Sequence, residues 1–174
     1  MDKIYFLCYN LYTKSRGGDN MASNLKVIID NSQSKIKIPS GIRMLVRRSC
    51  HATLQHERYD GTTAINVTFA DNELLNSYSD RRVSNFEPTE VIAIPSEKAG
   101  ESLGKLIISV ERILELVKVY NQSFEMGIVF SSVHGVLNLL GQYYTDKESR
   151  DTLMFKEAAI MDKLGFPPLS RFSS

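Results

Sequence analysis

The sequence predicts a single domain of the α/β (α+β) class, in which a small mixed sheet of four strands packs with about five helices. Two observations favour this class. Short β-branched segments alternate with segments whose apolar residues recur at helical spacing, and the last three segments are all helical. The early strand–helix–strand order requires parallel neighbours, whereas the short link at 95–102 suits an antiparallel hairpin. The sheet should therefore be mixed.

The first half of the chain contributes two strands and two helices. Residues 25–31 and 64–69 are rich in β-branched side chains, as strands are. Residues 39–41 precede a helix that reaches about residue 57, because apolar side chains recur there every three or four positions. Asp71 is placed to begin the second helix, since its carboxylate can accept a hydrogen bond from a free amide of the first turn.

The second half contributes two strands and three helices. The strands are residues 90–94 and 103–108, and the helices are 110–120, 124–140 and a last one that ends near residue 164. Ser109 and Ser123 should cap the first two of these helices, because a hydroxyl oxygen accepts from a first-turn amide. Thr145 and Glu148 have the spacing of a capping box, which predicts the start of the last helix.

The composition is that of an ordinary globular protein, with 43% hydrophobic and 24% charged residues among 174. The formal net charge is +1, so nucleic-acid binding would have to come from a local basic patch. Cys8 and Cys50 form no CxxC pair and no disulfide framework, which fits a reducing cytoplasm. No apolar run approaches the ~20 residues that span a membrane, so no membrane partner is expected.

The segment with the clearest chemical signal is 131–144, at the end of the long helix and just beyond it. His134 and Asn138 are four residues apart and therefore project from the same helix face. Gly141 should end the helix, because glycine adopts positive φ at low cost just past a helix end. Tyr144 follows in a loop that can fold back toward the same point. Two imidazoles at this spacing would form half of a metal site, whereas this chain offers one imidazole and one amide.

This segment resembles the signature of the YbeY family, metal-dependent endoribonucleases of ribosomal RNA maturation. The family pattern is His-Gly-x-Leu-His-Leu-x-Gly-Tyr-Asp-His, and residues 134–144 of this chain are His-Gly-Val-Leu-Asn-Leu-Leu-Gly-Gln-Tyr-Tyr. In the family, the three histidines of the pattern bind a zinc-type ion. The resemblance implies that His134 stands at the first ligand position, with Asn138 and Tyr144 at the other two.

Further segments resemble the family in the same order, from about residue 25 to residue 166. The clearest are 88–95, 103–109, 120–125 and 154–157. The departures fall on polar positions: Lys105 stands at the family's aspartate, and Met126 and Gly127 stand at its Arg-Glu pair. Apolar positions are kept while polar ones change, which is the pattern expected of a chain that still folds but no longer cuts.

The chemistry of such a site requires about three protein ligands and one open position for water. A neutral amide such as Asn138 is a poor ligand for a zinc-type ion, and Tyr144 binds only as a phenolate. His134 has no second titratable partner visible in the sequence, and His51 and His56 are expected on the exposed surface of the first helix. We therefore predict a YbeY-like RNA- or ribosome-binding module, with zinc weak or absent and catalysis impaired.

Two alternatives remain beside this prediction. One is an active metal-dependent endoribonuclease that cuts single strands at a remodelled site. The other is a duplicate without a selected function. A bound metal ion would distinguish the first alternative from the predicted binding module.

The resemblance implies ribosomal RNA and the small ribosomal subunit as partners. The candidate phosphate contacts are the basic residues Arg43, Arg47, Arg48, Arg81, Arg82 and Lys105. Arg81 and Arg82 lie next to Val83, which stands at the position of a family arginine. For the arginines of the first helix, an ordinary solvated helix surface is the alternative.

Residues 1–20 are expected to be a leader or a tail, so that the YbeY-like domain spans 21–174. Met21 follows arginine and glycine residues whose codons can be rich in purines, as a ribosome-binding site is. One hypothesis is that translation begins at Met21, and the alternative is a flexible terminal tail. An N-terminal peptide that begins at Met1 in the native protein would exclude the first hypothesis.

Overall fold

The computed structural model of the protein describes residues 24–60, 62–79, 89–97 and 101–166. In chain order, its elements are β1 (Asn24–Asn31), α1 (Ile42–His56), β2 (Thr62–Ala70), α2 (Asn72–Ser79), β3 (Val91–Pro95), β4 (Gly104–Ser109), α3 (Val110–Val119), α4 (Phe124–Leu139) and α5 (Lys147–Lys163). This order confirms the predicted α/β class with a four-stranded sheet and five helices. The predicted leader at 1–20 and the basic pair Arg81 and Arg82 lie outside the described residues.

The four strands form one mixed sheet in the order β1-β2-β4-β3. β1 and β4 both run parallel to β2, with Val67 of β2 opposite Leu106 of β4. β3 pairs antiparallel with β4, as the predicted hairpin requires. Gly104 begins β4 with a φ of 139°, and a Cβ there would collide with the carbonyl oxygen of Ile94. The hairpin therefore depends on a residue without a side chain.

The two faces of the sheet are covered by different helices. Val67 and Leu106 belong to the main core, which also contains residues of α1, α3 and α4. On the opposite face, Leu75 of α2 packs with Ala70 and Ile107. Because side chains alternate along a strand, Lys105 projects from the same face as Ile107 and away from α1.

α4 is the central helix of the fold. Eleven of its sixteen residues are buried, and it contacts α1, α3, α5 and the two hairpin strands. Its approach to the sheet is close at Gly135, where a Cβ would lie 2.9 Å from Cδ2 of Leu106 and 3.1 Å from Cγ2 of Val91.

No helix in the described ranges combines the length and the apolarity needed to cross a bilayer.

The helix starts follow the predicted capping chemistry, with one correction. The two serines that precede α3 and α4 each accept a hydrogen bond from the third amide of their helix. The predicted capping box of α5 is wrong by one residue, because Asp146, and not Thr145, is the N-cap. Its carboxylate accepts the amide hydrogen of Ser149 at 2.8 Å, and Ser149, rather than Glu148, completes the box. Aspartate caps a helix somewhat better than threonine, which favours the later start.

β1 is an edge strand of the sheet, since it pairs with β2 on one side only. Arg43, in the first turn of α1, donates from Nη1 to the carbonyl oxygen of Ile29 at 3.0 Å. This hydrogen bond ties the beginning of α1 to the exposed edge of the sheet.

Candidate functional site

His134 and Asn138 lie on the last two turns of α4, on a strip of the helix that solvent reaches. Both are partly exposed, whereas their neighbours Val133, Gly135 and Leu137 are buried. The helix ends at Leu139, and the following loop begins at a glycine with a φ of 79°, as the predicted helix stop requires. The central helix thus presents one imidazole and one amide side by side.

His134 is paired with a carboxylate. Its Nδ1 lies 2.5 Å from Oε1 of Glu157 in α5, and the side chain of Glu157 is only 4% exposed. The ring of Phe130 stacks on the imidazole, with 5.8 Å between centroids. A carboxylate can only accept, so the proton lies on Nδ1 and the lone pair of a neutral ring is on Nε2. The expectation that His134 has no titratable partner is wrong, because α5 brings Glu157 to it.

Asn138 and Tyr144 differ in how they are held. The Oδ1 atom of Asn138 is buried and has no hydrogen-bond partner among the described residues. A buried acceptor without a partner loses its hydration without compensation, so this oxygen is a place where a ligand could bind. Tyr144 leaves about half of its surface accessible, in the loop between α4 and α5.

This donor set does not fit a zinc-type ion. Such an ion prefers imidazole or thiolate ligands, and here His134 is accompanied by an amide oxygen and an exposed phenol. Across the parts of the chain that the structure describes, no three His, Cys, Asp or Glu side chains come together as a metal-binding group.

His56 was predicted to be exposed but is buried, because it follows the buried Thr53 by three residues on the inner face of α1.

A second polar cluster joins α1, α5 and the loop after α4. Oε2 of Glu57 accepts hydrogen bonds from Nε2 of Gln142 at 2.5 Å and from Nζ of Lys156 at 2.8 Å. Lys156 also donates to Oε1 of Gln142 at 2.8 Å, which closes the ring of three side chains. Burial opposes the ionisation of Glu57, but the hydrogen bonds from Lys156 and Gln142 outweigh it and lower the pKa of the carboxyl.

The candidate RNA contacts within the described residues lie on two separate surfaces. Arg43, Arg47 and Arg48 are exposed on α1, a helix that contains no Asp or Glu. Nη1 of Arg47 lies 3.5 Å from the carbonyl oxygen of Arg43, so these two residues share one side of the helix. Lys105 is half-buried on the opposite face of the sheet. The structure therefore brings the α1 arginines together but does not add Lys105 to them.

Three site residues, Glu57, Lys156 and Glu157, were missed by sequence reasoning. Glu157 follows His134 by 23 positions, and Lys156 follows Glu57 by 99, so no local periodicity connects the partners. One signal was available, since residues 154–157 are among the segments that resemble the YbeY family.

The fold and the site define an α/β protein with a histidine–carboxylate pair at the end of a buried central helix. A family model described as "Endoribonuclease YbeY" matches residues 28–165. The chain therefore belongs to the YbeY family, which confirms the resemblance noted in the sequence.

Individual relatives agree with this assignment. The Endoribonuclease YbeY of Caldanaerobacter subterraneus subsp. tengcongensis is 31% identical, over 81% of this chain and 98% of the relative. That of Carboxydothermus hydrogenoformans is 30% identical, over 79% of this chain and 96% of the relative. The solution structure of TM1509 from Thermotoga maritima matches the fold with a TM-score of 0.52 at 15% identity, covering 80% of this chain and 91% of that one.

Proposed function

We propose that this protein acts in ribosomal RNA maturation as an RNA- or ribosome-binding module that has lost metal-dependent cleavage. The supporting observation is the donor set, in which His134 is the one imidazole and its companions at the family's ligand positions are Asn138 and Tyr144. Losing a residue that merely supports a ligand costs about 10- to 100-fold in metal affinity or activity. Replacing two direct ligands costs more, so the zinc of the family is weak or absent here.

The partner is ribosomal RNA of the small subunit, in the cytoplasm, and the basic face of α1 makes the phosphate contacts. We define this basic face by the exposed side chains of Arg43, Arg47 and Arg48. No carboxylate within the helix neutralises their charge, so the face attracts a polyanion although the whole chain has a net charge of only +1. Lys105, Arg81 and Arg82 are further candidate contacts, but Lys105 would require RNA that reaches the opposite face of the sheet.

The loss of the metal is tested by elemental mass spectrometry of the purified, untagged protein. Samples are measured as isolated and again after incubation with excess zinc followed by gel filtration. We expect far less than one transition-metal ion per chain in both samples. A stoichiometric ion that a chelator removes would overturn the proposed loss.

RNA binding is tested with a labelled single-stranded oligoribonucleotide from the small-subunit RNA, titrated at several salt concentrations. The variant Arg47→Ala/Arg48→Ala should bind more weakly, and its salt dependence should fall by about 0.7 in slope for each lost phosphate contact. Lys118→Ala is the control, because it removes a single exposed positive charge from a different helix, α3. Equal losses in both variants would contradict a specific role of the basic face.

A second candidate function is a metal-dependent endoribonuclease of single strands with a remodelled site. The buried Oδ1 of Asn138, which lacks a hydrogen-bond partner among the described residues, favours it, because it lies one turn from a carboxylate-oriented imidazole. Chelator-sensitive cleavage of single-stranded RNA that disappears in His134→Ala would establish this function. Cleavage that resists chelators and persists in His134→Ala would point to a contaminating nuclease.

A further inference from the structure

We infer that Tyr143 and Tyr144 form a stacking platform for unpaired bases of RNA, an inference that rests on the proposed RNA binding. The two residues are 54% and 51% exposed, so a large part of each is open to solvent. Proteins hold single-stranded RNA by stacking its bases on such exposed aromatic rings. The family pattern has Asp and His at these two positions, so the platform is a property of this chain.

The loop that holds the two tyrosines is anchored on both sides. Before them, the Gln142 side chain is bound in the ring with Glu57 and Lys156. After them, the amides of Thr145 and Asp146 both donate to Oγ of Ser149, at 3.0 and 3.2 Å. A platform that is already ordered loses little conformational entropy when a ligand binds.

The surroundings of Tyr143 favour a base over a phosphate. Tyr143 lines an open groove of about 430 Å³ between the loop and α5. Asp146 and Glu148 also line it, and their negative charges disfavour a phosphate group. The charge of Lys156, which also lines the groove, is paired with Glu57. The remaining polar lining residues are Gln142, Ser149 and Thr152, side chains of the kind that donate to or accept from the edge of a base. The uncharged base is therefore the part of a nucleotide that this groove accommodates.

Arginines near the start of α1 and just beyond its end offer contacts for the backbone of the same RNA strand. Glu57 directly follows α1 and is hydrogen-bonded to Gln142, so the end of that helix lies beside the tyrosine loop. Arg58 follows it and is exposed. The helix has 15 residues and is about 22 Å long, so it can follow several nucleotides from the basic face to the platform. Phosphates and bases of one strand thus have separate contact surfaces.

The test compares two variants of the full chain. Tyr143→Leu/Tyr144→Leu removes the aromatic rings, and Tyr143→Phe/Tyr144→Phe keeps them as the matched control. The leucine variant should bind a single-stranded oligoribonucleotide more weakly, by roughly 5- to 150-fold for each stacked base, and the phenylalanine variant should bind as the wild type does. The salt dependence should stay the same in both, because no phosphate contact is lost. The fully paired duplex of the same sequence should bind the wild type and the leucine variant equally.

A second measurement requires no variant. The fluorescence of 2-aminopurine within the single-stranded oligonucleotide should be quenched when the wild type binds it, because the base stacks on an aromatic ring. The platform is excluded if the leucine variant binds RNA as tightly as the wild type and no quenching occurs. The proposed function stands in that case if Arg47→Ala/Arg48→Ala still weakens RNA binding. If the wild type binds no RNA at all, the proposed function fails and the platform fails with it.

Discussion

The buried carboxylate of Glu157 lies 2.5 Å from Nδ1 of His134, although the two residues belong to different helices. Carboxylates in this position orient the imidazoles that bind metal ions in proteins, because they hold the proton on the ring nitrogen that faces them and leave the lone pair of the other nitrogen for the ion. In this chain the orienting carboxylate is present while the neighbouring donor positions hold Asn138 and Tyr144. The pair therefore contributes to the packing of α4 against α5 whether or not an ion binds.

The pair should be visible in the stability of the protein. His134→Ala removes the partner of a buried carboxylate and should lower the free energy of unfolding by about 3 kcal/mol. Adding Glu157→Gln in the same chain should restore part of this loss, because a neutral amide is less costly to bury. Urea unfolding of the three proteins measures both effects. A double variant that is no more stable than His134→Ala would show that the carboxylate does not depend on the imidazole.

A metal site should return when two side chains are replaced. Asn138→His/Tyr144→His adds two imidazoles, which together with His134 make three at the spacing of the family pattern, and Glu157 already orients His134. Zinc affinity should rise at least about 100-fold over the wild type, as measured by competition with a chromogenic chelator. The same double variant with His134→Ala is the control and should lose the gain. If zinc affinity does not rise, the loop of Tyr144 lies too far from α4.

The hydrogen-bonded ring of Glu57, Gln142 and Lys156 should make the free energy of unfolding depend on pH in the acid range. The pKa of Glu57 is lowered below its ordinary value of 4.5, so its contribution is present above that value and is lost as pH falls through the folded-state pKa. The difference in unfolding free energy between the wild type and Glu57→Gln should therefore shrink as pH falls below 4.5. The Lys156→Met variant should lack the same pH-dependent contribution to its free energy of unfolding. A constant difference between pH 6 and about pH 3 would argue against the ion pair.

Cys50 should be unreactive in the native protein. It is fully buried in the main core, and burial raises the pKa of its thiol to about 12. Little thiolate exists at pH 8, and thiolate is the reactive form. In a Cys8→Ser chain, a disulfide reagent such as Ellman's should titrate no thiol in native buffer and one thiol per chain in guanidinium. Rapid native reaction would mean that the core around α1 opens readily.

The parts of the fold that local signals encode were predicted from the sequence. Apolar periodicity gave the strands and helices, and serine caps and Gly141 gave the starts of α3 and α4 and the end of α4. The prediction failed where neighbouring residues compete, as Asp146 and Thr145 do for one helix start. The prediction also failed where elements distant in sequence meet. The burial of His56 depends on which side of the last turn of α1 packs inward. The pairing of Glu157 with His134 depends on how α5 lies against α4.

The hydrogen bond from Arg43 to the carbonyl oxygen of Ile29 has a consequence for self-association. A strand at the edge of a sheet offers backbone groups with which a strand of another molecule can pair, and such pairing leads to fibrils. The guanidinium of Arg43 occupies one of the acceptors that an incoming strand would use. An Arg43→Ala change made to weaken RNA binding would also unblock this edge, so aggregation has to be separated from lost affinity in any such variant. Arg47 and Arg48 are free of this complication, because neither donates to β1 among the hydrogen bonds of the described residues.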